Sequence, residues 1–414
     1  MVATRVVPWR PLVFKLALVA MAVGFGTFGA TTALGDVAKA FGTTTGQSSF
    51  TARVGLSGST LGLGLGVLRA ASLAALPLAA LGDRWGRRRI LYLCGVTGLC
   101  VTALASLSPS YWWFVALFAI ARPVLSAASS LATVMTAELT GSRMRITALA
   151  VLSAGAAVGA GLNVILHGAL RGSHGFRILF AAAIIPAVAV AALVRRLPET
   201  HGRTTATEHA ARLGAIPREL WGRLAIVMGV FAAVNAINGP AGGFAFVYSE
   251  DILKLSPRYV STVVTLSALT GVAGLLVGRW IADRHGRRPA VAIGMLAIAA
   301  TSLYAYSGGR TAFSVGYVVG VFAAAMWVPG MAALSTESFP ESVRASSGGW
   351  VIVAGVLGAL AGITVFSVVA DASYSSGTHG SGSLALAAAA AFLPALPVCY
   401  FLRRLPETKG AALT

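Results

Sequence analysis

The sequence predicts an all-α membrane protein with twelve transmembrane helices in two six-helix bundles, and three observations predict it. The chain is 57% hydrophobic and 11% charged over 414 residues, with a mean hydropathy of +0.80. An ordinary soluble domain carries about 25% charged residues. Apolar stretches long enough to cross ~30 Å of hydrocarbon at ~1.5 Å per residue recur along the whole length. The charged turns between them also come back a second time, about 200 residues later.

In order, the apolar stretches cover 12–34, 55–81, 90–107, 111–136, 146–170 and 176–194. The first follows Arg5, Arg10 and Lys15, as a secretory leader would, but it is long enough to span and no small-residue cleavage pattern closes it, so it reads as the first span. A polar, basic stretch from Arg195 to Arg223 follows the sixth. Six more stretches cover 224–248, 259–282, 289–307, 313–335, 346–370 and 383–402. The expected organisation is therefore a bundle at 1–194, a cytoplasmic linker at 195–223 and a second bundle at 224–414.

The formal net charge of +19 does not mark a nucleic-acid binder, because the Lys and Arg residues fall in short runs between apolar stretches and form no basic face. They follow the rule that cationic loops stay on the cytoplasmic side. The termini and every second loop hold most of them, while the other loops keep only Lys39, Arg53, Arg171, Arg177, Lys254, Arg258 and Arg310. Both termini are thereby expected in the cytoplasm, in a multi-pass protein of the cytoplasmic (inner) membrane. The expected partners are the lipid bilayer and a small-molecule substrate, with a proton or counter-anion as candidate co-solute, no nucleic acid, and a monomeric chain. Cys94, Cys100 and Cys399 lie inside apolar stretches without the spacing of a metal site or a disulfide framework. No metal or cofactor is expected.

The repeat is visible residue by residue. Gly82-Asp83-Arg84-Trp85-Gly86-Arg87-Arg88 returns as Ala282-Asp283-Arg284-His285-Gly286-Arg287-Arg288. Glu138 and Arg145 return as Glu337 and Arg344, and Arg195-Arg196-Leu197-Pro198-Glu199-Thr200 returns as Arg403-Arg404-Leu405-Pro406-Glu407-Thr408. An even number of spans per repeat leaves both halves pointing the same way. In each Asp-Arg-x-Gly-Arg-Arg turn the glycine permits the reversal, and the aspartate can face a helix N-terminus or pair with the arginines. A plain stop signal for membrane insertion is the alternative for one copy, but it does not account for two copies in register.

With these turns the chain resembles the major facilitator superfamily, whose halves both carry this signature between their second and third helices. The stretch Glu337-Ser338-Phe339-Pro340-Glu341-Ser342-Val343-Arg344 and the terminal Pro406-Glu407-Thr408-Lys409-Gly410 resemble the sugar porters, organic-ion porters and metabolite:proton symporters of that superfamily. The resemblance implies a cytoplasmic charge network, closed in one state and broken in another. By position it comprises Asp83, Arg84, Arg87, Glu138, Arg145 and Glu199, mirrored by Asp283, Arg284, Arg287, Glu337, Arg344 and Glu407. Exposed ion pairs contribute ~0 to 1 kcal/mol each, which suits a gate that opens repeatedly.

Two arginines lie inside apolar spans. Arg122 matches the arginine of the family's fourth-helix motif, with Pro123 after it and Ser126 where the family's glycine falls. An arginine at mid-bilayer costs at least ~2.5 to 3.5 kcal/mol, so it needs a hydrated cavity or a partner; bonding to backbone carbonyls is the structural alternative. Arg69 lies in the second span, where it continues the small-residue stripe Gly55, Ser59, Gly62 and Gly66, and its structural and functional readings stand level. Counted from Asp83 and from Glu138, the two guanidiniums lie roughly 21 and 24 Å from the cytoplasmic surface.

No acid accompanies them: all thirteen Asp and Glu residues fall in loops or at span ends, with Asp36 the nearest to the membrane interior. Proton-coupled relatives carry an acid in the first helix near a Phe-Gly pair, whereas this chain reads Phe28-Gly29-Ala30-Thr31-Thr32. The expected cavity is cationic, and the expected substrate an organic anion or a sugar-like metabolite, since arginine pairs bidentately with carboxylates. Asn235, Asn238, Trp327, Phe28 and Asn163 complete the candidate substrate set with Arg122 and Arg69. For the two seventh-span amides a kink at Gly239-Pro240 and Gly242-Gly243 is the alternative, and for Trp327 simple packing. His167 and Asp36 are the candidate proton sites, with a satisfied structural histidine as the alternative at 167.

The function these features imply is secondary transport of a small organic solute by alternating access. The competing reading within transport is a proton-driven exporter of drugs or natural products, hinted at by Gly155-Ala156-Ala157-Val158-Gly159, which also suits plain helix packing. An intramembrane protease, suggested by Gly55-Leu56-Ser57-Gly58 with His167 as base, leaves the duplicated spans unexplained. A non-transporting receptor would normally need a longer cytoplasmic domain than these loops provide.

Overall fold

Among the described residues twelve helices are long and apolar enough to cross a membrane. The computed structural model describes residues 9–43, 49–140, 144–170, 175–200, 216–375 and 384–407. Much of the expected linker, 201–215, lies outside them, as do Thr408, Lys409 and Gly410. The spans are α1 (Arg10–Thr32), α2 (Gly58–Trp85), α3 (Arg87–Leu107), α4 (Tyr111–Leu139), α5 (Thr147–Ala169) and α6 (Gly175–Val194). They continue as α7 (Arg218–Gly243), α8 (Pro257–His285), α9 (Arg287–Ala305), α10 (Arg310–Glu337), α11 (Ser346–Ser373) and α12 (Ala385–Arg404). Their outward faces are apolar: Ile185 is 72% and Leu269 70% exposed, which in water would be a liability and against lipid tails is the expected state.

Three boundaries differ from the hydropathy reading, each for a local reason. The first span stops at Thr32, and the apolar tail becomes a separate helix, Leu34–Phe41, which buries Leu34, Val37 and Ala38 and exposes Lys39. The second span is interrupted by a 3₁₀ turn at Ser72–Ala74. The seventh ends at Gly243 rather than near residue 248, because Gly242 and Gly243 are poor helix formers. After it the chain enters a π-helix at Val247–Ile252.

The chain forms two compact units, residues 1–33 with 71–206 and residues 34–70 with 207–414. In the first, α1 and α5 cross backbone to backbone. Gly155 and Gly159 lie against the carbonyl oxygens of Ala17 and Met21, and Gly24 against that of Ala156. Such close crossings are how small residues hold membrane helices together, so packing accounts for these glycines. Leu16, Val19, Leu91, Leu99, Leu125, Met135 and Val190 form the apolar core beside that crossing.

The second unit repeats the device. Gly358 and Gly362 of α11 lie against the carbonyl oxygens of Ala232 and Ala236 of α7, while Gly274 and Gly278 of α8 meet those of Phe322 and Met326 of α10. Residues 34–70 pack here too, with Gly62 of α2 against the Ser367 side chain and Gly66 against Leu360. Of the expected stripe, Gly62 and Gly66 thus face protein, whereas Ser59 is exposed and Gly55 lies before α2, at the end of the short helix Phe50–Val54.

Candidate functional site

The charged turns are built alike in the two units. Gly86 and Gly286 adopt φ values of 94° and 108°, which a side chain would strain, and each reverses the chain between two spans. In the first unit Arg87 donates to Asp83 at 2.8 and 3.1 Å and also pairs with Glu138. Glu199 accepts from the Arg88 amide at 2.9 Å, capping the N-terminus of α3 where a carboxylate meets the positive end of the helix dipole. Arg145 donates to the Ala137 carbonyl at 3.0 Å, and Arg84 is exposed.

In the second unit Arg287 reaches Asp283 at 3.0 Å and Glu337 at 3.4 Å, and Glu407 accepts from the Arg287 and Arg288 amides at 2.7 and 3.2 Å. Arg284 lies over the Trp280 ring, 5.6 Å from its centroid. The Arg344 side chain lies outside the described residues. Each acid thus binds an arginine or caps a helix within its own repeat.

Within the first unit, the Arg122 Nε donates to the Ser72 hydroxyl at 3.1 Å, so the 3₁₀ turn that interrupts α2 presents a partner to the α4 arginine. Asn163 is 1% exposed, with its amide nitrogen bonded to the Phe25 carbonyl at 3.1 Å and its Oδ1 without a donor among the described residues. Phe28 is half-buried on α1, and His167 is 4% exposed in the last turn of α5.

Within the second unit, Arg69 is half-buried near the end of the Gly58–Ala71 helical segment and makes no ion pair among the described residues. Trp327 of α10 is 6% exposed and stacks at 5.5 Å, tilted, on Phe231 of α7. Its indole N–H is buried and meets no acceptor among the described residues. Asn235 lies one turn further along α7 and donates back to the Phe231 carbonyl at 2.8 Å, while Gly355 of α11 leaves room for both side chains. Phe231 was not among the sequence candidates; its signal was an aromatic one helical turn before an in-span asparagine.

Asn238 lines a cavity of about 240 Å³ with Gly242, Ser302, Tyr306 and Tyr317, whose lining does not include Trp327 or Phe231. That falls short of the ~300 to 1,000 Å³ usual for small-molecule pockets. The Tyr306 hydroxyl donates to the Ala241 carbonyl at 2.9 Å, satisfying one of the acceptors in the last turn of α7.

Two acids take places the sequence did not suggest. Asp251, in the π-helix, is 1% exposed and forms an ion pair with Lys39. Asp371 accepts from the Gly58 and Ser59 amides at 2.7 and 2.8 Å, capping the Gly58–Ala71 helix. Asp36 sits half-buried on Leu34–Phe41, near enough to Lys39 and Asp251 to act on both. Ser57, the residue of the protease-like tetrapeptide, spends its hydroxyl on the Thr60 amide and the Ser59 and Thr60 hydroxyls.

Known proteins agree with this architecture. The family model of the Major Facilitator Superfamily matches residues 16–253 and 224–413. A cis,cis-muconate transport protein of Acinetobacter baylyi is 26% identical over 335 residues, covering 77% of this chain and 79% of that one. A gallate transporter of Pseudomonas putida is 25% identical over 354 residues, covering 76% of each. Among solved structures, the inward-open xylose transporter XylE from E. coli matches with a TM-score of 0.70 at 19% identity, over 98% of both chains. The nucleoside transporter NupG matches with a TM-score of 0.70 at 12% identity, over 95% of this chain and 98% of that one. At these identities the structural matches speak for the fold.

Proposed function

The chain belongs to the major facilitator superfamily and is a multi-pass membrane transporter of a small organic solute, and on that premise we propose that its solute is a flat, conjugated or aromatic carboxylate. Residues 1–194 and 224–414 are the two repeats, joined by 195–223, and both termini lie in the cytoplasm with the charged turns. The membrane is the cytoplasmic one.

The observation that carries the reading is the Trp327–Phe231 pair. A buried N–H without an acceptor costs ~1 to 3 kcal/mol, and an oxygen-bearing solute that supplies the acceptor relieves it. The adjoining ring faces suit a planar carbon skeleton, since aromatic pairs gain from stacking. Arg69, in the same unit as the ring pair, offers a cation with no ion pair among the described residues, and Arg122, bonded to Ser72 in the first unit, is a further candidate contact for a carboxylate. Asn235 borders the ring pair. Muconate and gallate, which the similar proteins are named for carrying, are both carboxylates with conjugated skeletons.

Counterflow into proteoliposomes tests the reading, with labelled muconate, gallate, xylose and a cationic drug offered in parallel. The expected outcome is saturable exchange of at least one of the two carboxylates and none of the sugar or the cation. Exchange of xylose or the cationic drug without either carboxylate would overturn it.

A further inference from the structure

Residues 34–70 lie inside the first repeat in sequence, yet they pack with residues 207–414. Two polar contacts hold them there: the Lys39–Asp251 ion pair, and Asp371 on the Gly58 and Ser59 amides. The two differ in chemistry. Asp371 is satisfied by backbone donors. Asp251 is fully buried, and Lys39 meets one of its oxygens, while the other oxygen has no hydrogen-bond donor among the described residues. The other oxygen presses on the backbone at Gly35.

Lys39 keeps 41% of its side chain exposed, so its charge stays partly hydrated and compensates the buried carboxylate incompletely. The other charges on Asp251 are the like charges of Asp36, on the same short helix as Lys39, and of Glu250, its neighbour in the π-helix. The remaining elements packed on the π-helix, Phe50–Val54 and α8, carry Arg53 and Arg258. A fully buried acid whose one counter-ion stays partly hydrated, and which is flanked by two further acids, is a group disposed to take up a proton.

We infer that Asp251 is a proton-binding site, loaded from the aqueous phase at the end of the molecule opposite the charged turns, and that its protonation favours the seating of residues 34–70 against residues 207–414. Placing that end outside the cell rests on the orientation proposed above; the linkage itself does not. Burial pushes the Asp251 carboxyl up to about 6 against the opposing pull of Lys39. When the segment lifts and the carboxyl reaches water, it returns to an ordinary value of ~3.9. The seated arrangement therefore binds the proton more tightly. Acid favours seating between those two values, and the preference is lost as pH rises through 6.

The test needs no solute, so it stands or falls apart from the carboxylate reading. Spin labels at Ala40→Cys and Arg258→Cys, both exposed positions, are placed in full-length protein with Cys94, Cys100 and Cys399 replaced by alanine, in nanodiscs. Pulsed dipolar spectroscopy then reads the distances at a series of pH values between 8 and 5. The ratio of short to long distances is expected to rise about tenfold from pH 8 to pH 5. Asp251→Asn, an uncharged mimic of the protonated acid, is expected to hold the short distance at every pH. Lys39→Met, which removes the cation paired with Asp251, is expected to move the midpoint to higher pH. A distribution unchanged by pH, a long-distance fraction that grows on acidification, or an unmoved midpoint in Lys39→Met would overturn the inference.

Discussion

Asp371, late in α11, accepts hydrogen bonds from the amides of Gly58 and Ser59, and Gly58 lies 313 residues away along the chain. The carboxylate does for the Gly58–Ala71 segment what a capping side chain does locally, because it meets two of the amides that have no partner inside a helix. A negative charge there also complements the helix dipole.

Asp371→Ala is expected to destabilise the protein by about 1 to 3 kcal/mol, since both amides lose their acceptor in a half-buried setting. Asp371→Asn keeps an acceptor oxygen and loses only the charge, so its cost is smaller. Thermal unfolding of the two variants in detergent checks the order. Equal melting temperatures for wild type and alanine variant would show that water replaces the cap without loss.

Arg122→Ala is expected to abolish carboxylate counterflow while leaving expression and melting temperature near wild type. Ser72→Ala, which removes the hydroxyl that the Arg122 Nε reaches, is expected to raise KM several-fold with little change in the maximal rate. Counterflow that survives Arg122→Ala would remove this arginine from solute binding.

Trp327→Phe keeps the ring on Phe231 and deletes the N–H that has no acceptor. Removing a buried unsatisfied donor leaves the apo protein as stable or more so, by up to ~1 to 3 kcal/mol. Counterflow of carboxylates is expected to weaken about 5- to 10-fold, the loss of one hydrogen bond to the solute. Stability and transport thus move in opposite directions, which a purely structural tryptophan would not produce.

Gly358→Val is expected to prevent folding to a monodisperse species, because the first side-chain atom would enter the Ala232 carbonyl and backbone cannot yield as a side chain does. Gly348→Ala, in the same helix with open space around it, is the matched control and is expected to behave as wild type. Size-exclusion profiles of the two separate the outcomes.

The architecture was legible because a bilayer imposes its own thickness on every span, and because the charged turns repeat at nearly one spacing. The Arg87 and Arg287 clusters were legible for a related reason: each joins residues at matching positions of two repeats. Asp251 and Asp371 were not, since an acid at a span end looks the same whether it meets water or a lysine far away in sequence. Hydropathy likewise cannot see that α2 breaks at Ser72–Ala74, as the residues of that turn are as apolar as their neighbours apart from the one serine. Trp327 was visible as an aromatic beside Pro329, but the partner that gives it meaning, Phe231, was one of many phenylalanines in apolar spans.

The turn at Val247–Ile252 bears on how this chain can change over evolutionary time. A π-turn differs from an ordinary one by a single inserted residue, so losing one codon in this stretch would reset it to regular α-geometry. The flanking positions would keep their facing, because the bulge absorbs the extra residue locally. Positions inside the turn would shift by up to ~100° about the helix axis, carrying Asp251 off Gly35 and away from Lys39 and leaving the spans on either side intact. A relative one residue shorter here would keep its helices and lose its response to acid, with no amino-acid replacement at all.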